Sequence, residues 1–132
     1  MEVMIEAGMI IVFGQQGTID AIPHLPAGRT GGSLPDSSDL WGKLWYYHQA
    51  GTLLGFAHSH PGAGILGPSW TDLTTFAAIE VGLGRRLDWW ITSSDSIVRI
   101  VWTGPDKYDY NVRSIAERDE PYWAQELRDY SK

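Results

Sequence analysis

Apolar positions along this chain follow two rhythms, one of about two residues and one of three to four, and their succession predicts the order of elements. Met1 to Phe13 carries Val3, Ile5, Ile10, Ile11, Val12 and Phe13, the β-branched and apolar content of a strand, and Gly8 inside it predicts a bulge or bend. Gln15-Gln16-Gly17 reads as a turn into a short strand over Thr18 to Ile22, ended by Pro23, so these two segments are expected to pair as a hairpin. From Pro23 to Asp36 the chain is rich in Gly, Pro and Ser and has no period, which predicts a loop. Leu40, Trp41, Leu44, Trp45, Tyr47 and His48 then recur at helical spacing. They predict a helix capped by Asp36, Ser37 or Ser38, running to about Ala50 and stopped by Gly51.

Thr52 to His58 is nearly all apolar, the pattern of a strand covered on both faces in the middle of a sheet. A Gly/Pro loop over Pro61 to Pro68 leads to a helix from Ser69 to about Leu83, closed by Gly84. Leu87 to Thr92 and Ile97 to Trp102 alternate around Ser93-Ser94-Asp95-Ser96, predicting a second hairpin. Past Gly104-Pro105 the chain reads as polar until Pro121 to Tyr130, where Trp123 and Leu127 predict a last helix packed on the body. The pattern contains no internal repeat and no linker, and 132 residues with 43% hydrophobic content suit one domain spanning 1–132.

Composition narrows the chemistry. Ten Lys and Arg against sixteen Asp and Glu give a net charge of −6, the wrong sign for a protein held on nucleic acid by phosphate contacts. The apolar run Met9 to Phe13 is too short to span a bilayer and no basic leader precedes it, so a cytoplasmic protein without a membrane partner is expected. Cysteine is absent, so any metal must be held by His, Asp or Glu. The aromatic residues Trp41, Trp45, Tyr46 and Tyr47 crowd one helix; core packing explains them first, and a homodimer interface second.

The segment from His58 to Asp72 carries the chemistry. Alternate residues of an extended chain share a side, so His58 and His60 project together with Cα atoms roughly 6.5–7 Å apart. Asp72, brought back in the first turn of the next helix, can complete a three-ligand set for a divalent ion. Ser69 with Asp72 also fits a helix capping box, in which both side chains serve free amides, so Asp72 has two readings at this point. His24 and His48 lie outside the pattern and read as surface or packing residues.

His58-Ser59-His60-Pro61-Gly62 followed by Ser69-Trp70-Thr71-Asp72 resembles the motif of the JAMM (MPN-plus, JAB-domain) zinc metallopeptidases, His-x-His, seven residues, Ser, two residues, Asp. Eight residues, Pro61 to Pro68, stand here where seven are usual, a difference that a Gly-rich loop absorbs. The family places its general base on a glutamate ahead of an apolar strand, and Glu6-Ala7-Gly8-Met9-Ile10-Ile11-Val12-Phe13-Gly14 is similar to that element. Glu2 is a rival, because residues four apart on a strand face the same way. The helix that family members carry ahead of this glutamate has no counterpart among the five residues before Glu6.

The resemblance implies an α+β (α/β sandwich) fold, a mixed central sheet flanked by helices, of the JAB/MPN-like (cytidine-deaminase-like) kind. It implies Zn2+ held by His58, His60 and Asp72, Glu6 as base, Ser69 as oxyanion donor, and hydrolysis of a peptide or isopeptide bond. The substrate class is a peptide or the tail of a ubiquitin-like or sulfur-carrier protein, as in small bacterial, archaeal or phage relatives. Two other readings stand beside it. One is a JAB-like scaffold that has lost catalysis. The other is a RadC-like protein, against which Ser59 and Gly62 speak, since RadC places Asn between its histidines and Ser-Gly after the proline.

Overall fold

The computed structural model describes residues 6–26, 38–60, 68, 70–106 and 109–132. Among them six strands form one mixed sheet with three α-helices, an α+β arrangement. The strands are β1 (Gly8–Phe13), β2 (Ile19–His24), β3 (Leu53–Ser59), β4 (Asp88–Thr92), β5 (Ile97–Trp102) and β6 (Tyr110–Ser114); the helices are α1 (Ser38–Gln49), α2 (Trp70–Leu83) and α3 (Trp123–Tyr130). The sheet order is β2-β1-β3-β4-β5-β6, with β3 and β4 parallel and every other pair antiparallel.

Both expected hairpins form, and β3 lies inside the sheet as its apolar run requires. One core joins Ile10, Val12, Phe56, Trp89, Ile91 and Ile100 of the sheet to Leu40 and Leu44 of α1 and Leu73, Phe76 and Ile79 of α2. On the opposite face Met9, Ile11, Ala57 and Ile97 pack with Trp123 and Leu127 of α3, the two residues expected to point inward there. Within α1, Trp41 and Tyr47 pack against the core, whereas Trp45 and Tyr46 are exposed. No helix of the described residues is long and apolar enough to cross a membrane.

Several expectations need correction. β2 does not stop before Pro23 but continues through it to His24. It is an edge strand, where a missing ladder donor is tolerated. The irregularity in the β1–β3 pairing is not at Gly8. It falls where Ile11 pairs with Gly55 and Val12 with Leu53, so that Leu54 of β3 is the extra residue. The sequence pattern does not predict β6, because Tyr110-Asn111-Val112-Arg113-Ser114 is an edge strand with mostly exposed positions and only two alternating apolar residues, Tyr110 and Val112. Asp36, Ser37, most of the loop expected up to Asp36, and residues 61–67 lie outside the described residues.

The turn from α2 into β4 is fixed by Gly84, whose φ of 72° is the left-handed conformation of a helix stop, and by Glu80. The buried Glu80 carboxylate accepts the Leu87 N–H at 2.9 Å and the Trp89 indole N–H at 3.1 Å, and Arg86 lies 3.3 Å from its other oxygen. Arg86 spans α2 to the β5–β6 connection, donating to the Gly104 and Pro105 carbonyls at 2.8 and 3.0 Å while lying 4.3 Å from the Trp102 ring centroid.

Parallel pairing of β3 with β4 depends on a close approach at Gly55, whose register partner is Asp88. A Cβ at Gly55 would fall well inside contact distance of the Asp88 carbonyl oxygen, a backbone atom that cannot rotate away. Gly55→Ala is therefore expected to lose about 3 kcal/mol of stability, read as a lower urea midpoint with unchanged slope; a midpoint within error of wild type contradicts the close packing of these strands.

Candidate metal centre

Topology brings the candidate side chains together. A parallel β3–α2–β4 unit requires a crossover, so α2 starts near the carboxyl end of β3 and runs back along the sheet. The crevice outside the carboxyl ends of parallel strands is where open sheets with crossover helices place ligands. His58 and His60 leave β3 there, and Asp72 belongs to the first turn of α2.

The other strand neighbour of β3 supplies Glu6. Gly8 pairs with His58, and continuing that antiparallel register sets Glu6 across from His60 on the same face. Glu6 is 7% exposed there. Glu2 lies outside the described residues, as does Ser69.

His58 Nε2 and His60 Nε2 are 3.0 Å apart. Asp72 Oδ1 lies 3.2 Å from His58 Nε2 and Asp72 Oδ2 lies 3.1 Å from His60 Nε2. Around a four-coordinate ion with bonds of about 2.0–2.1 Å, neighbouring ligand atoms are about 3.3 Å apart. The three side chains therefore already stand at nearly the spacing that a small divalent metal imposes, and imidazole nitrogen with carboxylate oxygen is a donor set that suits one. Glu6, His58 and His60 form a second grouping that could hold a metal ion, with one ligand atom from each lying within 4.8 Å of the others. Two carboxylates thus flank one imidazole pair.

Packing holds the inner imidazole. Phe76, one helical turn after Asp72, meets the His58 ring edge-on at 5.9 Å and stacks on Trp89 at 4.0 Å, with Phe56 edge-on to Trp89 at 6.5 Å. His58 is 4% exposed against this aromatic floor, so water reaches the cluster from the His60 side, where the side chain is 25% exposed. The Asp72–Phe76 spacing is legible in the sequence as two positions on one helix face, although neither periodicity nor motif singles out Phe76 as a support for His58.

The electrostatics follow from this burial. Desolvation pushes the Glu6 carboxyl above its ordinary value; His58 and His60 pull it back in part, while Asp72 adds to the rise. The hydrogen bond to Asp72 raises the His60 pKa, against desolvation and with help from the Asp72 and Glu6 charges. A proton shared by His60 and Asp72 competes with a metal for the same atoms, so metal affinity should fall as pH drops.

His24 has the packing role expected of it, with an added cost. It pairs with Gly8 on the side away from His58, is 0% exposed, and meets Phe56 edge-on at 6.2 Å, while among the described residues neither ring nitrogen has a hydrogen-bond partner. Burial, with a smaller push from Lys43 that Asp39 opposes, lowers its pKa. Below the unfolded value of about 6.5 the unfolded chain takes up a proton that folded His24 refuses, so this residue removes stability as pH falls until the folded imidazole also charges. His24→Leu is expected to raise stability by roughly 1–2 kcal/mol, by removing unsatisfied buried nitrogens. The gain should grow as pH falls below about 6.5 in paired urea titrations; a gain that shrinks on acidification contradicts this account.

A groove of about 510 Å3, lined by Leu54, Trp90, Arg99, Val101 and Arg113 among others, lies on the α3 side of the sheet, away from the imidazoles. No protein-family model matches the chain, and no curated protein matches it either.

Proposed function

We propose that this chain is a JAMM-type zinc metallopeptidase with a JAB/MPN-like fold, hydrolysing a peptide or isopeptide bond. The observation that carries the proposal is the convergence of His58, His60 and the Asp72 carboxylate within 3.0–3.2 Å, beside a buried Glu6. His58, His60 and Asp72 are the residues that would hold zinc. Bound there, zinc would supply the chemistry of a Lewis acid, a water of pKa about 7 and a polarised carbonyl.

The chain's own groups do the rest. Glu6, with its raised carboxyl pKa, takes the proton of the attacking water and passes it to the leaving amine. Phe76 and Trp89 keep water from the inner side of the imidazoles, which strengthens every charge interaction in the cluster. By the family resemblance Ser69 offers its hydroxyl to the developing oxyanion.

The substrate class that fits is a peptide or the tail of a ubiquitin-like or sulfur-carrier protein. Short connections such as Gly84 to Leu87 leave little room for the added segments with which larger family members grip ubiquitin chains. Direct metal analysis of the purified chain tests the proposal. It should show about one zinc per chain, and chelation should remove metal and hydrolysis together, both returning on readdition; a chain that takes up no zinc from stoichiometric excess overturns it.

A further inference from the structure

Ser59 stands between the two histidines and faces the other way. Strand alternation turns its side chain to the α3 side of the sheet, where it is 2% exposed. Regular pairing of β1 with β3 ends at Gly8 and His58, yet the contact between the strands continues one residue further. The Ser59 N–H donates to the Ala7 carbonyl at 2.9 Å, and the Ala7 N–H donates to Ser59 Oγ at 2.8 Å. The serine hydroxyl thus stands in for a ladder acceptor, and both backbone groups of Ala7 are tied to one residue. Glu6 is the next residue along.

The direction of the side-chain bond is also set. Ser59 Oγ donates to Ser131 Oγ at 3.0 Å, just past the end of α3. With its only proton committed there, the hydroxyl presents lone pairs to Ala7. One buried oxygen therefore joins the segment entering β1, the exit of β3 and the residue that follows α3, which are 52 and 72 positions apart along the chain.

We propose that Ser59 is a positioning residue: its hydroxyl, through Ala7, holds the Glu6 carboxylate against the His58–His60 pair. The catalytic consequence rests on the metallopeptidase reading; the positioning itself does not. Removing the hydroxyl leaves the Ala7 N–H buried without an acceptor. The backbone satisfies it by moving toward water, and Glu6 moves with it. His58, His60 and Asp72 are held by β3 and α2 and stay in place.

The test compares zinc-loaded wild type, Ser59→Ala, Ser59→Thr and Ser131→Ala by amide hydrogen exchange at Ala7, by zinc content, and by turnover of an isopeptide-linked peptide probe. Ser59→Ala should exchange the Ala7 amide at least about tenfold faster and lose about 100-fold in kcat at unchanged KM and zinc content. Ser59→Thr, which keeps the oxygen, should recover most of both, and Ser131→Ala should fall between. Wild-type exchange at Ala7 in Ser59→Ala overturns the proposal, as does loss of zinc, which would make Ser59 a support for the histidines, or a rise in KM at constant kcat. If Ser59→Ala does not fold, Ser131→Ala carries the same comparison at smaller amplitude. If wild type cleaves no probe, the metallopeptidase reading fails on its own, and exchange at Ala7 still decides whether Ser59 holds this segment.

Discussion

His60→Ala is expected to reduce the zinc content of the purified chain nearly to zero and to abolish hydrolysis while leaving the fold intact. The separation of these effects follows from where His60 sits. It lies just beyond β3 and its side chain is 25% exposed, so truncation leaves no cavity in the core below it. The backbone bond from His60 N–H to the Thr92 carbonyl, at 2.7 Å, survives the substitution. At the site, however, the change removes one of two nitrogen donors and leaves Asp72 and Glu6 around a single imidazole. A residue that merely supports a ligand costs about 10–100-fold in metal affinity when removed, and a ligand itself must cost more. Metal analysis with thermal unfolding of the metal-free proteins checks both halves. A variant with stoichiometric zinc, or one that loses zinc because it has unfolded, defeats the assignment.

The parts of this architecture that were legible in the sequence are those written in local pattern. The apolar run ending in His58 announces an interior strand, and His-x-His announces two imidazoles on one side of it, because both depend only on the two-residue period of an extended chain. What the sequence left open depends on partners distant along the chain. Glu6 and Glu2 are equivalent by parity, and only the pairing of Gly8 with His58 sets Glu6 beside the imidazoles. Asp72 fits a capping box as well as a ligand set from spacing alone. The fold gives its carboxylate oxygens one imidazole each, because the β3–α2–β4 crossover brings the helix start to the strand exit.

Other misses share a cause. Pro23 punctuates a strand only where its missing donor matters, and at the sheet edge the chain ignores it. The edge strand β6 buries too little to imprint a hydrophobic rhythm on Tyr110 to Ser114. Ser59 reads as the variable position of a motif until its oxygen is seen between Ala7 and Ser131.

Glu6→Gln separates the two carboxylates that flank the imidazole pair. If Glu6 is the base and Asp72 the ligand, the variant keeps wild-type zinc content and loses turnover by about 10²–10⁴-fold, the usual worth of a positioned general base. Glutamine preserves the shape of the side chain in a site that is 7% exposed, so a packing defect cannot imitate this result. If instead zinc is held by the Glu6, His58 and His60 grouping, the same substitution removes a charged ligand and zinc falls with activity. Burial sharpens the distinction, since a carboxyl that desolvation pushes above its ordinary value is a stronger base for water than a solvated one. Zinc content measured alongside turnover therefore assigns Glu6 directly. Full activity with full zinc would show that neither role belongs to it and would remove the proposed proton carrier from the reaction.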